Sequence, residues 1–356
     1  MLPSLFSPIK FLPTQRCVAR PQSKLDPITT AKGLTIYRNF TVNRTIWSMD
    51  EEKLLSVSRK QATERICLVS CFSTELLEIH SEEPRMHIVF VPGNPGVISF
   101  YKDFVESLYE LLDGNASITA ICHIAHTRKD WERGRMFSLQ DQINHKVDFI
   151  KQELQTNGPP LILVGHSIGS YICIEVFKRL PQQVRFAIGL YPFLLTVDSP
   201  KLSRIAKLAR SSFLSASFSY FVSLLGFFPA WLSRALVKRT IGQSLSSTAI
   251  DATCSHLLQY HTWRNVLFMA MTEFAELSEE LDWAFMKKQQ DQIAFLYGID
   301  DYWAPLSVLE EISRQVPAIE LSIEKEGHTH SFCCTEAGSV WVAQFVANLI
   351  ANRVPN

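Results

Sequence analysis

Residues 161–170 read L-I-L-V-G-H-S-I-G-S, and the reading of this stretch decides the fold. A short apolar run ends at Gly165, and Gly165, His166, Ser167, Ile168 and Gly169 form the pattern G-x-S-x-G. A serine on a sharp strand-to-helix turn needs a backbone path that side chains two residues away would obstruct. Glycine at both places removes the clash and lets the hydroxyl project. The five-residue string alone is a weak signal. Its surroundings strengthen it. Pro159 and Pro160 precede the apolar run, which has the length of a buried parallel strand. Residues 171–180 place Ile172, Val176 and Leu180 on one helical face and stop before Pro181. Strand, serine and helix thus come in the order that a nucleophile elbow requires.

The βα rhythm extends outward from there. Upstream, 86–91 is an apolar run read as a central strand, and it ends in Pro92-Gly93-Asn94-Pro95-Gly96. Residues 101–112 read as a helix with Phe104, Leu108, Leu111 and Leu112 on one side. A strand is expected at 118–123, and an amphipathic helix at 139–154 with the stripe Ile143, Val147, Ile150 and Leu154. Two earlier strands are expected at 34–42 and 66–80. Downstream, 184–190 is a strand. From 193 to 286 the rhythm stops in a helical, aromatic segment, the natural place for a cap. It resumes with a strand at 292–297, a helix from Pro305, a strand at 319–323 and a last helix at 337–350. Strands alternating with helices imply a mostly parallel central sheet with helices on both faces. With the elbow, the fold expected is α/β, an α/β-hydrolase fold with a helical cap insertion.

Composition bounds the function. The 356 residues suit one large α/β domain over 34–356, with the cap inserted at about 193–286. Lys plus Arg and Asp plus Glu number 35 each, so no electrostatic footprint of a nucleic-acid binder is present. Eight cysteines include a Cys67/Cys71 pair four apart and an adjacent Cys333/Cys334 pair. Neither spacing is that of a zinc site or a disulfide framework, and reduced thiols are expected. Residues 1–33 read as a flexible tail or a targeting segment. Lys10, Arg16, Arg20 and Lys24 precede the first acid, Asp26, and prolines break any helix. Sequons begin at Asn39, Asn43 and Asn115; with no secretory signal read ahead of them, they are expected to be unused.

A serine at the elbow needs a base, and an acid to hold the base. In this fold they follow in the order Ser, Asp, His. Asp300 and Asp301 lie just beyond the late strand, at the sheet edge where ligands bind. His328 and His330 lie between the last strand and the last helix. Spacing does not choose within either pair. The oxyanion of a tetrahedral intermediate needs two backbone N–H groups. One is expected from Ile168, the residue after the nucleophile. For the other, Pro95 has no N–H, Asn94 is well placed, and Gly93 allows close approach. His123 and His126 lack the i, i+4 spacing of a helical metal pair and are assigned a structural or substrate-rim role. His166, inside the elbow, is assigned packing. No metal or organic cofactor is needed for this chemistry.

The stretch 211–233, from Ser211 to Ser233, has no charged residue, and Arg210 and Arg234 bracket it. It carries Phe213, Phe218, Tyr220, Phe221, Phe227, Phe228 and Trp231. Gly226 and Pro229 interrupt any continuous helix. A simple membrane span is disfavoured, because the stretch sits between two halves of one sheet. Two readings stay open: a buried cap helix, or a helix–turn–helix wedge lying in a lipid monolayer.

V-P-G-N-P-G followed by Phe100-Tyr101, together with G-H-S-I-G-S and the late Asp301-Tyr302-Trp303, resembles the lipid droplet-associated hydrolases. The resemblance runs from about residue 75 to the C-terminus. His123-Ile124-Ala125-His126 and the segment 139–145 add to it. The family places Asp before Pro-Trp, where this chain has Asp301-Tyr302-Trp303. It has a histidine followed by a small residue and Phe, which fits His330-Ser331-Phe332. The resemblance therefore implies Asp301 and His330 as partners of Ser167, with Asp300 and His328 in reserve. It also implies hydrolysis of carboxylic esters of lipids, and attachment to a lipid droplet and endoplasmic reticulum surface on the cytosolic face. A plastid or mitochondrion reached through the N-terminal segment is the alternative location. The rival functions are a droplet-surface protein with little turnover and a lipid acyltransferase.

Overall fold

An eight-stranded sheet forms around six short runs that are mostly buried, with a more exposed strand at each edge. The computed structural model describes residues 60–154, 158–241, 244–277 and 280–353. The expected tail at 1–33 and the strand at 34–42 lie outside the described residues. In chain order the elements are β1 (Thr63–Val69), β2 (Phe72–Ile79), β3 (Met86–Val91), α1 (Lys102–Leu111), β4 (Ala116–Ile121), α2 (Leu139–Glu153), β5 (Leu161–His166), α3 (Ile168–Arg179) and β6 (Val184–Leu190). Six helices follow: α4 (Pro200–Arg210), α5 (Ser212–Leu224), α6 (Ala230–Ile241), α7 (Ser247–Ala252), α8 (Tyr260–Glu276) and α9 (Trp283–Lys288). The sheet then resumes with β7 (Ile293–Gly298), α10 (Leu306–Gln315), β8 (Glu320–Glu324) and α11 (Glu336–Arg353).

The strand order is β1-β2-β4-β3-β5-β6-β7-β8. Only β1 with β2 and β2 with β4 are antiparallel; the other pairs are parallel. Both faces are covered, as runs such as Leu161–His166, buried at every residue, require. One face carries α2, α3 and α10 over Val89, Leu163 and Phe295. The other carries α1 and α11 over Ile88, Phe90 and Ile162. The six helices inserted between β6 and β7 form the cap. This is an α/β-hydrolase fold with a large helical cap insertion.

The expected single strand at 66–80 is instead a hairpin, β1 and β2. Ser70 (φ 49°) and Cys71 (φ 70°) make its two-residue turn, with Val69 facing Phe72. Both turn residues have positive φ, the geometry that suits the twist of a hairpin. Ser-Cys lacks the Asn-Gly or Asp-Gly signature, so alternation simply ran through the turn.

A cluster of bases lies under the sheet end that carries the elbow. Lys146 is fully buried, and its Nζ donates to the Cys122 carbonyl at 2.7 Å. It also lies 3.2 Å from His145 Nδ1. Burial pushes the ammonium down from 10.5 to about 7. The unfolded chain therefore binds more protons than the folded one between pH 7 and 10.5, and this group's contribution to stability rises with pH across that window. We expect the stability of wild type relative to Lys146→Met to rise by about 4 to 5 kcal/mol from pH 7 to pH 10.5 in urea unfolding. A difference that stays constant with pH would show that the ammonium keeps its solvation on folding.

Candidate active site

Every feature of the elbow follows from close packing. Ser167 has φ 54° and ψ −123°, a strained backbone held at both sides. Its N–H donates to Leu190 O at 2.9 Å, and its carbonyl accepts from Ser170 N and Phe193 N. A Cβ on Gly165 would lie 2.3 Å from Gly169 O, and one on Gly169 would lie 2.2 Å from Val91 O. No side chain fits at either place.

The loops after β7 and β8 meet the elbow at the carboxyl edge of the sheet. His330 Nε2 lies 3.0 Å from Ser167 Oγ, and His330 Nδ1 lies 2.6 Å from Asp301 Oδ2. Asp301 Oδ1 accepts from the Trp303 N–H at 2.9 Å. Burial opposes ionisation of Asp301, but the His330 ring and the Trp303 and Ala304 amides outweigh it and hold the carboxyl below its ordinary value. The structure thus brings Ser167, His330 and Asp301 together. It does not bring the reserve candidates in: Asp300 is exposed at the turn, and His328 packs on Trp341 at 5.5 Å between ring centroids.

The early loop closes over the same point. A Cβ on Gly93 would sit 3.1 Å from Ser167 Cβ. The Gly93 N–H is spent on the Tyr101 hydroxyl at 3.2 Å. Of the Asn94 side chain, Nδ2 donates to Val266 O at 3.0 Å and to Glu273 Oε1 at 2.9 Å, while Oδ1 is buried without a hydrogen-bond partner among the described residues. Among the described residues, the backbone amides of Asn94 and Ile168 have no hydrogen-bond acceptor.

Two parts of this arrangement were not legible in the sequence. His166 does more than pack. Its Nδ1 lies 2.7 Å from the Tyr101 hydroxyl, and its Nε2 lies 2.9 Å from the carbonyl of His330. Tyr101 accepts from Gly93 N–H, so its own proton goes to His166 Nδ1, and His166 Nε2–H donates to His330. Burial pushes the ring down to about 3, which keeps it neutral. This chain ties the early loop to the loop that carries His330. The assignment to packing is corrected accordingly; no periodicity could place Tyr101 and His166 on one relay. His123 and His126 take the structural role. His126 Nδ1 accepts from Gly96 N at 2.8 Å, and a Cβ on Gly96 would strike the His123 ring. Burial, aided by the Lys146 charge, pushes both rings down. Among the described residues no group of three His, Cys, Asp or Glu is placed to hold a metal.

Ser167 and His330 border a chamber of about 150 Å³. Phe193 and Trp303 wall it from the sheet side, and Leu257, Trp263, Val266 and Ala270 wall it from the cap. One acidic side chain, Glu273 of α8, joins them. An apolar chamber that ends at a Ser–His–Asp relay can hold an acyl or alkyl chain and present a carbonyl to the serine.

The geometry is matched by likeness to known proteins. Among solved structures, haloalkane dehalogenase DatA from Agrobacterium tumefaciens C58 superposes with a TM-score of 0.63 at 14% identity, covering 83% of this chain and 98% of that one. A membrane phospholipase A, a bacterial virulence factor, gives 0.54 at 15% identity, covering 86% and 91%. At such identities the likeness speaks for the fold alone. In sequence, the lipid droplet-associated hydrolase of Gallus gallus is 27% identical over 264 residues, 70% of this chain and 80% of that protein. The one from Dictyostelium discoideum is 26% identical, over 73% and 86%. The family model described as lipid-droplet associated hydrolase matches residues 84–333, from before the early loop to beyond His330. The chain belongs to the lipid-droplet associated hydrolase family.

Proposed function

We propose that this protein is a serine hydrolase that cleaves carboxylic esters of lipids at the surface of a lipid droplet or membrane. The observation that carries the reading is the relay of 3.0 Å and 2.6 Å from Ser167 through His330 to Asp301, opening on an apolar chamber. His330 Nε2 takes the Ser167 proton as Oγ attacks the ester carbonyl. Asp301 fixes the tautomer of His330 and stabilises its charged form. The N–H groups of Ile168 and Asn94, both without an acceptor among the described residues, receive the oxyanion. The intermediate collapses, His330 returns the proton to the leaving alcohol, and an acyl ester remains on Ser167. Water, deprotonated by His330, cleaves that ester and releases the acid.

The amide of Asn94 is separable from its side chain. Asn94→Ala keeps the N–H and loses the bonds to Val266 and Glu273; Asn94→Pro loses both. We expect Asn94→Pro to be slower than Asn94→Ala by about 100-fold in kcat/KM for a soluble ester, the effect of one oxyanion donor. Equal rates for two folded variants would remove Asn94 from the oxyanion site.

Surface attachment is supported by an inverted helix pair. In α5 the buried residues are Ser215, Ser219 and Val222, while Phe213, Tyr220 and Phe221 are outside. Phe227 and Trp231, at the turn and the start of α6, are 83% and 71% exposed. Small polar residues inside and aromatic ones outside is the opposite of a water-facing helix. Gly226 lets the turn approach Leu258, where a Cβ would lie 2.8 Å from the carbonyl. The flanks are basic. Between Asp198 and Asp251 there is no acidic residue, whereas Lys201, Arg204, Lys207, Arg210, Arg234, Lys238 and Arg239 are all exposed. An apolar tip with a cationic collar suits a monolayer with anionic headgroups. No helix among the described residues is long and apolar enough to cross a membrane. The wedge is thus favoured over the buried cap helix. Phe227→Asp with Trp231→Asp should weaken binding to anionic lipid vesicles by about 100-fold in a flotation assay, from the loss of roughly 3 kcal/mol of burial. Turnover of a soluble short-chain ester should stay within about twofold of wild type, as both side chains are exposed and neither lines the chamber. Unchanged vesicle binding would place the attachment elsewhere.

A further inference from the structure

Glu273 is the acidic side chain of the chamber, and the relay does not use it. The residue is 3% exposed, on the face of α8 that borders the chamber. Its carboxyl has one hydrogen bond among the described residues, the 2.9 Å contact from Asn94 Nδ2 to Oε1. Among the described residues no cation is paired with it. Among the described residues Oε2 has no hydrogen-bond partner; Val266, Leu267 and Ala270, which line the same chamber, carry no polar side chain, and the Trp263 indole N–H donates to the Leu257 carbonyl. The Oδ1 of its partner Asn94 is a buried acceptor left without a hydrogen bond among the described residues, and a buried polar atom left unpaired costs free energy, so the Asn94–Glu273 pair marks a place where a ligand supplies the missing hydrogen bond.

The chemistry of the group narrows the ligand. Burial pushes the carboxyl up to about 8, the Asn94 amide only partly offsetting it. At neutral pH it is therefore a carboxylic acid. The Asn94 amide donates to Oε1, which leaves the proton on Oε2 of a side chain that lines the chamber. An uncharged donor in a largely apolar wall does not suit a cationic headgroup, and a phosphate meets no Lys or Arg among the residues that line the chamber. It suits a neutral oxygen. The group sits beside Asn94, whose amide flanks the reacting carbonyl, so the oxygen it reaches lies close to the scissile ester.

We propose that Glu273 sets the specificity of the chamber by hydrogen-bonding a free hydroxyl on the substrate, which selects ester lipids of the partial-glyceride type over wholly alkyl esters. This rests on the chamber being the ester site. Glu273 neither gives nor takes a proton in the reaction; it holds the substrate.

The test compares two esters of one shape, 2-hydroxyethyl hexanoate and propyl hexanoate, in Ser167→Ala protein, which cannot turn them over. Trp263 and Trp303 line the chamber, so intrinsic fluorescence reports binding. The quantity read is the ratio of the two Kd values. Replacing Glu273 by Leu in that background should shift the ratio about tenfold against the hydroxylated ester, the effect of one neutral hydrogen bond. Glu273→Gln, whose amide can accept from Asn94 and still donate, should keep the ratio within about threefold of the parent. A merely structural role for Glu273 would weaken both esters alike and leave the ratio unmoved, and that result overturns the proposal.

A second measurement needs no Leu variant. Infrared difference spectra of Ser167→Ala protein should show the protonated-carboxyl stretch shifting with the hydroxyethyl ester and not with the propyl ester. The band should be absent in Glu273→Gln. A band that moves equally with both esters, or with neither, sinks the idea. Failure of wild-type protein to hydrolyse either ester, with selective binding intact, would count against the hydrolase reading and not against this one.

Discussion

Ser167→Ala protein is expected to lose fluorophosphonate labelling and ester turnover together. The loss in kcat should be on the order of 10⁴ to 10⁶-fold, since groups of one relay act as a unit. Among the described residues the serine hydroxyl has one polar contact, His330 Nε2 at 3.0 Å, and the elbow is held by backbone bonds at Ser167 N and O. Removing the oxygen therefore leaves the turn in place, and the circular dichroism spectrum should not change. The residual rate would come from binding and from the oxyanion amides alone. Labelling that persists on another serine in this variant would end the assignment of Ser167 as nucleophile. Labelling that vanishes while ester turnover stays near wild type would detach the hydrolysis from this site.

The second large effect concerns the partners of Ser167. Asp301→Asn should lower kcat by about 10⁴-fold, because an amide at this place favours the tautomer of His330 whose Nε2 cannot accept the serine proton. His330→Ala should be at least as damaging. The neighbours are the internal controls. Asp300→Asn and His328→Ala should keep most of the activity, as Asp300 is exposed and His328 rests on Trp341. All four proteins can be compared with one soluble ester, so surface attachment does not enter. A dead His328→Ala beside an active His330→Ala would mean that the base loop takes another register in catalysis.

The sheet was legible because its strands are short apolar runs with strong punctuation. Strands β3 and β6 run over 86–91 and 184–190, the boundaries expected from hydrophobicity. The helix α2 was visible from its stripe, and the last helix, expected at 337–350, is α11 over 336–353. The hairpin of β1 and β2 was not, because Ser70 and Cys71 take positive φ without glycine or asparagine, and alternation does not register a turn of that kind. The inverted face of α5 was not decidable either. A row of aromatics at helical spacing looks the same whether it points to a core or to lipid.

By itself the sequence determined the elbow, since glycines at 165 and 169 around a serine, after an apolar run, admit few other backbone paths. It determined the alternation of strands and helices, and hence a mostly parallel sheet with its loops gathered at one edge. Within Asp300/Asp301 and His328/His330 it left the choice to family resemblance. Only the tertiary structure put His330 between Ser167 and Asp301, because side-chain direction depends on the dihedral angles of two loops that share no sequence neighbourhood. For the same reason only the tertiary structure joined Gly93, Tyr101, His166 and His330 in one chain of hydrogen bonds. It also decided that Glu273, one of many acidic residues on helices, lies buried against Asn94. Spacing along the chain fixes which face of a helix a residue occupies; what that face meets is set by the packing of elements far apart in sequence.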